Sequence, residues 1–148
     1  MDEAWRTGWS GGRFQVKETT GDVGVIAEGE SLPSAIASAA AGLYYIMSPG
    51  PVAVGTARLW VSEEAGDLAL AFARALQRLV VAFDAEGFIA GSALASVYRG
   101  ERAKVTLELT GETFDPLRHE QGVEVKAVTH HGLVVDPAAH RVEVLLDV

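Results

Sequence analysis

The sequence predicts a single α+β domain: a mainly antiparallel or mixed β-sheet carrying two main helices. Three observations predict it. Two segments place apolar residues at helical spacing, about eight others are β-rich, and most of the β-rich segments follow the second helix. A chain of 148 residues fits one core better than two.

The elements follow in order. Met1 to Gly12 holds Gly8, Gly11, Gly12 and Ser10 and reads as a flexible N-terminal tail ahead of a domain spanning 13–148. Within that tail, Trp5 and Trp9 are placed to form one helical turn or an arm packed on its own domain. Phe14 and Val16, then Val23, Val25 and Ala27, alternate as half-buried strands do, with the turn formers Thr19, Thr20, Gly21 and Asp22 between them. Ser31 suits an N-cap and Pro33 a first turn. Ile36, Ala40, Leu43 and Met47 then predict a helix over Ser31 to Met47, ended by Pro49-Gly50-Pro51. Its many Ala, Ser and Gly residues predict close packing against the sheet.

Val52, Val54, Leu59 and Val61 predict a strand region. Leu68, Phe72, Ala75, Leu76, Leu79 and Phe83 lie on one stripe and predict a second helix over Glu64 to Asp84, with Gly87 closing it. Phe88 to Tyr98, Ala103 to Leu109, Val123 to Thr129, Leu133 to Val135 and Val142 to Leu146 complete the strands.

Composition narrows the function classes. With 12 basic and 20 acidic residues the net charge is −8, and the basic residues are scattered. Nucleic acids are held by neutralising phosphates, so direct nucleic acid binding is not expected. An acidic surface suits a basic protein or a cation. No cysteine is present, which leaves no disulfide and no thiolate ligand. Neither a signal-peptide core nor a membrane-length apolar run is found, so a cytoplasmic location is expected.

Walker A, Gly-x-Gly-x-x-Gly and His-Glu-x-x-His signatures are absent, and the string Gly8-Trp9-Ser10-Gly11-Gly12, which fits Gly-x-Ser-x-Gly, is discarded as a nucleophile elbow because it falls in the expected tail. His130 and His131 are consecutive, so on a regular strand they face opposite ways, with His131 expected to look inward. Asp22 falls in a turn, and Asp147 follows the apolar run Val142 to Leu146 beside Val148. Carboxylates at about 4 Å repel by about 4 kcal/mol at an effective dielectric of 20, so a cluster of these groups must splay, take a proton or bind a cation. The polar stretch Gly111 to Gly122 predicts a long loop.

These segments carry a resemblance. Phe114-Asp115-Pro116 with Arg118-His119-Glu120, then Glu124 through Leu133, then Leu145-Leu146-Asp147-Val148, resemble the C-terminal pattern of the archease family. Thr20-Gly21-Asp22-Val23-Gly24 is similar to its N-terminal His-Thr-Ala-Asp motif, and Phe83-Asp84-Ala85-Glu86-Gly87 to its helix-ending motif. The resemblance implies a non-enzymatic accessory protein that promotes guanylylation and multiple turnover of an RtcB-type RNA ligase in tRNA splicing and RNA repair. It also implies a divalent metal, calcium before zinc because the donors are oxygens, at Asp22, Asp147 and Val148. Candidate partner contacts are Asp115, Arg118, His119, Lys126 and His131.

The sequence departs from the family pattern at three places. Thr19 replaces the motif histidine, Gly21 replaces an alanine, and Ala75-Leu76-Gln77-Arg78 stands where the family has Trp-Leu-Asn-Glu. Two other readings are therefore carried: a binding module that kept the fold and lost the metal, and a small phosphohydrolase using Asp22 and His131.

Overall fold

The computed structural model describes residues 3–148. Chain order is β1 (Arg6–Thr7), β2 (Arg13–Thr19), β3 (Asp22–Glu28), α1 (Leu32–Met47), β4 (Ala57–Ala65), α2 (Leu68–Glu86), β5 (Phe88–Arg99), β6 (Ala103–Thr113), β7 (Ala127–Asp136) and β8 (Arg141–Asp147). Every neighbouring strand pair is antiparallel. The strands form two sheets, one ordered β1-β2-β3-β8-β7 and one ordered β4-β6-β5.

Both helices lie between the sheets. α1 packs on β2, β3 and β8 of the larger sheet and on β5 of the smaller. α2 packs on β7 of the larger sheet and on β4, β5 and β6 of the smaller. A helix held on two sides cannot keep a wet face, and every residue of α1 except Pro33 and Tyr45 is buried. That accounts for its small side chains: a Cβ on Gly42 would stand 2.7 Å from Val25 of β3. One apolar core runs through both helices and both sheets.

Local chemistry sets the helix ends. The Ser31 hydroxyl accepts from the Ser34 N–H at 3.2 Å, and Pro33 occupies the first turn. The Asp67 carboxylate accepts from the Leu70 N–H at 2.8 Å, so α2 begins at Leu68 and not at Glu64. Glu64 and Ala65 instead finish β4, pairing with Lys104 and Ala103. Gly87 closes α2 with φ 69°, as expected. Val52 and Val54 are not in a strand. The two segments expected around Val123 to Val135 are one strand, β7, interrupted by an irregularity between Thr129 and Val134.

The largest correction concerns the N-terminus. Met1 and Asp2 lie outside the described residues, but the rest of the expected flexible tail is an ordered arm. Arg6 and Thr7 pair with Phe14 and Arg13, and no helical turn joins Trp5 to Trp9. The Ser38 hydroxyl of α1 donates to the Trp9 carbonyl at 2.9 Å and accepts from the Trp9 N–H at 3.1 Å. The Ser10 hydroxyl reaches the Ala93 carbonyl of β5 at 3.0 Å, tying the arm to the smaller sheet. Glycine is required here. A Cβ on Gly12 would sit 2.2 Å from the Ser38 oxygen and 2.8 Å from the Glu28 carbonyl.

A carboxylate pair at the end of the larger sheet

β2 and β3 are joined by Thr20 and Gly21, with Gly21 at φ +86°, a conformation suited to a two-residue hairpin. The hairpin makes Asp22 the first residue of β3, opposite Thr19, whose hydroxyl donates to the Asp22 carbonyl at 3.3 Å. On its other side β3 pairs with β8, and the register sets Asp22 directly opposite Asp147. The Lys126 N–H donates to the Asp147 carbonyl at 2.8 Å, and Ala127 pairs with Asp147 from β7. Asp147 is therefore held between two strands.

Strand periodicity decides where the pair points. Val23 and Leu146, the next opposed pair, are buried against the core, so Asp22 and Asp147 project from the outer face. Opposed residues on one face bring their Cβ atoms to about 5 Å, and like charges so placed are destabilising. Among the described residues neither carboxylate has a hydrogen bond or an ion pair. A shallow trough of about 260 Å³ on the same face is lined by Lys17, Thr19, Gly24, Ile26 and Leu145 among others, and neither aspartate lines it.

The donor set suits a hard divalent cation but is short. Asp22 and Asp147 offer only oxygen. Among the described residues no three His, Asp or Glu side chains come together as a metal group. The next residue after Asp147 is Val148, packed partly against the core, whose main chain offers a further oxygen.

The remaining sequence-predicted residues divide. Asp115, Arg118 and His119 form a separate, self-contained turn after β6. His119 is buried, a correction to its reading as a contact residue. Its Nδ1 accepts from the Asp115 N–H at 2.9 Å, so Nε2 carries the proton and donates to Glu112 at 3.0 Å. Glu112 also accepts from Arg118 and from the Ala53 N–H. These bonds, His119 first and Arg118 next, hold the Glu112 carboxyl down at about 2. The expected Gly111 to Gly122 loop is thus partly strand, since β6 runs to Thr113, and the rest is latched to α1 through Gly122 and Met47.

Lys126 is exposed beside Asp147. His131 is exposed on the β7 irregularity, where Gly132 has φ +65°, and does not look inward as expected. Asp22 and His131 are not register partners; β3 lies two strands from β7.

Two polar residues escaped the sequence reading. Glu112 anchors the turn, and Gln77 of α2 accepts the Val128 N–H of β7 at 2.8 Å, joining helix to sheet. Arg78, an acid in the family pattern, meets Glu63 of β4 at 3.4 Å. No spacing rule links residues so far apart in sequence.

Residues 14–148 match the Archease protein family (MTH1598/TM1083). The chain is 32% identical over 143 residues to the protein archease of Aeropyrum pernix, covering 93% of this chain and 98% of that one. It is 30% identical over 125 residues to the protein archease of Sulfolobus acidocaldarius, covering 83% and 88%. The solution structure of Methanobacterium thermoautotrophicum protein 1598 shares the fold, with a TM-score of 0.70, 23% identity and coverage of 91% and 98%. The match begins at Phe14, on β2, and takes in both helices, both sheets and the Asp22–Asp147 pair: the chain belongs to the archease family.

Proposed function

We propose that this chain is a non-enzymatic accessory protein that binds a hard divalent cation, calcium first, and promotes guanylylation and multiple turnover of an RtcB-type RNA ligase. The observation that carries the reading is the β3–β8 register, which sets Asp22 against Asp147 on the outer face. These are the two aspartates that the family resemblance marks. A main-chain oxygen of Val148 supplies the third donor. A bound cation offsets the repulsion of the opposed carboxylates and orders the sheet end near Lys126.

A chain of net charge −8 is suited to dock on the basic surface that an RNA-joining enzyme presents. Asp115, Arg118, Lys126 and His131 supply side chains for that contact. His119 serves it indirectly, by holding the turn.

The test is ligation of excess RNA ends with GTP and Mn²⁺, by the ligase of the same organism, with and without this protein. Turnover should rise with the wild type and fall back with Asp147→Ala. Equal turnover with and without the protein would refute the activator reading. A second reading, a module that kept the fold without the metal, is favoured by Thr19 in the histidine position and by the lack, among the described residues, of a third acidic or histidine side chain beside the pair. It expects ligase binding that calcium and Asp147→Ala leave unchanged.

A further inference from the structure

Both helices pack on the inner side of the β4-β6-β5 sheet, and its outer face is bare. Trp60, Leu94 and Tyr98 stand on that face, 61%, 65% and 64% exposed. Large apolar side chains gathered on one bare surface mark a place of contact, whereas scattered ones do not.

The register arranges the outward residues in rows. Arg58, Thr110 and Ser92 form the first, and Trp60, Glu108 and Leu94 the second. Ser62, Thr106 and Ser96 form the third, then Glu64, Lys104 and Tyr98 the fourth. The second row is tall and the third is short, its Ser62 and Thr106 hydroxyls bonded to each other at 3.2 Å. Arg58 and Lys104 balance Glu64 and Glu108, so these rows are neutral in a chain of net charge −8. Two copies can meet here without opposing their acidic charge. Arg102, at the rim, lies 4.0 Å from Glu64 with both side chains more than half exposed, a contact too loose to close that carboxylate.

We propose that this face binds a second copy of the chain, about a two-fold axis that lies in the interface and runs across the strands. Such an axis reverses the row order. The tall second row of each copy lies on the short third row of the other, so Trp60 meets Ser62 and Leu94 meets Ser96. Arg58 meets Glu64 of the other copy, and Lys104 lies over Thr110, one row from Glu108. A two-fold along the strands would instead set Glu108 on Glu108 and Lys104 on Lys104, which like-charge repulsion disfavours. The rows measure about 14 Å by about 27 Å, small for a specific interface, so association is reversible and in the micromolar range. The outer faces of the two sheets point apart, so the dimer leaves both Asp22–Asp147 pairs open and does not depend on the activator reading.

The test is sedimentation equilibrium on the full chain, from about 1 μM to about 1 mM, across which the wild type should pass from monomer to dimer. Trp60→Ala and Leu94→Asp should each weaken association by about tenfold or more. Their thermal midpoints at low concentration should stay close to that of the wild type, because both side chains are exposed. Arg58→Glu and Glu64→Arg should each weaken association by about tenfold, and the double variant should restore it. Within one chain the two residues lie about 20 Å apart along β4, so only contact between copies can couple them. A chain still monomeric at about 1 mM would overturn the proposal. So would a dimer that none of these variants weakens, or a double variant no better than the single ones. A monomer that binds an oligouridylate through Trp60 would give the face to single-stranded RNA and overturn it too.

Discussion

β3 and β8 end differently on the same face. At one end Glu28 stands opposite Arg141, and at the other Asp22 stands opposite Asp147. The Glu28 carboxylate receives Arg13 at 2.8 Å and Arg141 at 2.7 Å, and Arg141 also meets Glu143 at 3.2 Å. Those arginines, Arg13 first, hold the Glu28 carboxyl below the usual carboxylate range. The Asp22–Asp147 end has two like charges and no arginine among its described partners. Two strands, one register and one solvent-facing surface yield a closed ion network and an open one. The closed end serves the fold; the open end is suited to a cation from outside.

Glu112 extends the contrast, because it joins a buried neutral ring, His119, to an exposed cation, Arg118. His119→Ala should have the largest effect, a loss of about 2–3 kcal/mol in urea unfolding, since it removes a buried ring and leaves the Asp115 N–H and Glu112 without that partner. Calcium affinity should not change. A variant as stable as the wild type would mean that the turn is not latched this way. Arg141→Met should cost about 1 kcal/mol by the same measurement, because the partly exposed Glu28 loses one of two cations. Asp22→Asn should do the reverse without metal, leaving stability unchanged or raising it by about 0.5 kcal/mol as a like-charge pair is removed. A clear loss there would show that Asp22 already has a partner of its own.

The acid limb distinguishes the carboxylates further. Glu112 has its folded-state value lowered from 4.5 to about 2, so its contribution is fully present above about pH 4.5 and fades as the pH falls toward 2. Glu28 is shifted in the same direction. Urea midpoints recorded across this range should fall less steeply in Glu112→Gln than in the wild type. Parallel slopes would remove Glu112 from the acid response.

Much of the framework was legible because it rests on local rules. Ser31, Pro33 and the apolar stripe of α1, and Gly87 after α2, act over three or four residues, and the structure keeps them. A packed arm was among the expectations, but the flexible tail is not what forms: Gly8 and Gly12 look like freedom until Ser38, 29 residues beyond Trp9, makes them a requirement for close approach. His119 looked like a surface ligand because Glu112 and Ala53 are joined to it only through the folded turn. Asp22 and Asp147 stand at opposite ends of the domain in sequence, and no periodicity pairs them. Family resemblance marked both, and the β3–β8 register supplies the physical reason they meet.

The open end of the ladder is tested most directly by calorimetric titration of calcium into the wild type, Asp147→Asn and Arg141→Met. The wild type and Arg141→Met should bind with the same affinity, since only the closed end has changed, and Asp147→Asn should show no saturable heat. Calcium should raise the thermal midpoint of the first two proteins alone, by mass action on the folded state. Equal heats in the wild type and Asp147→Asn, or none in either, would contradict a cation site built on the opposed aspartates.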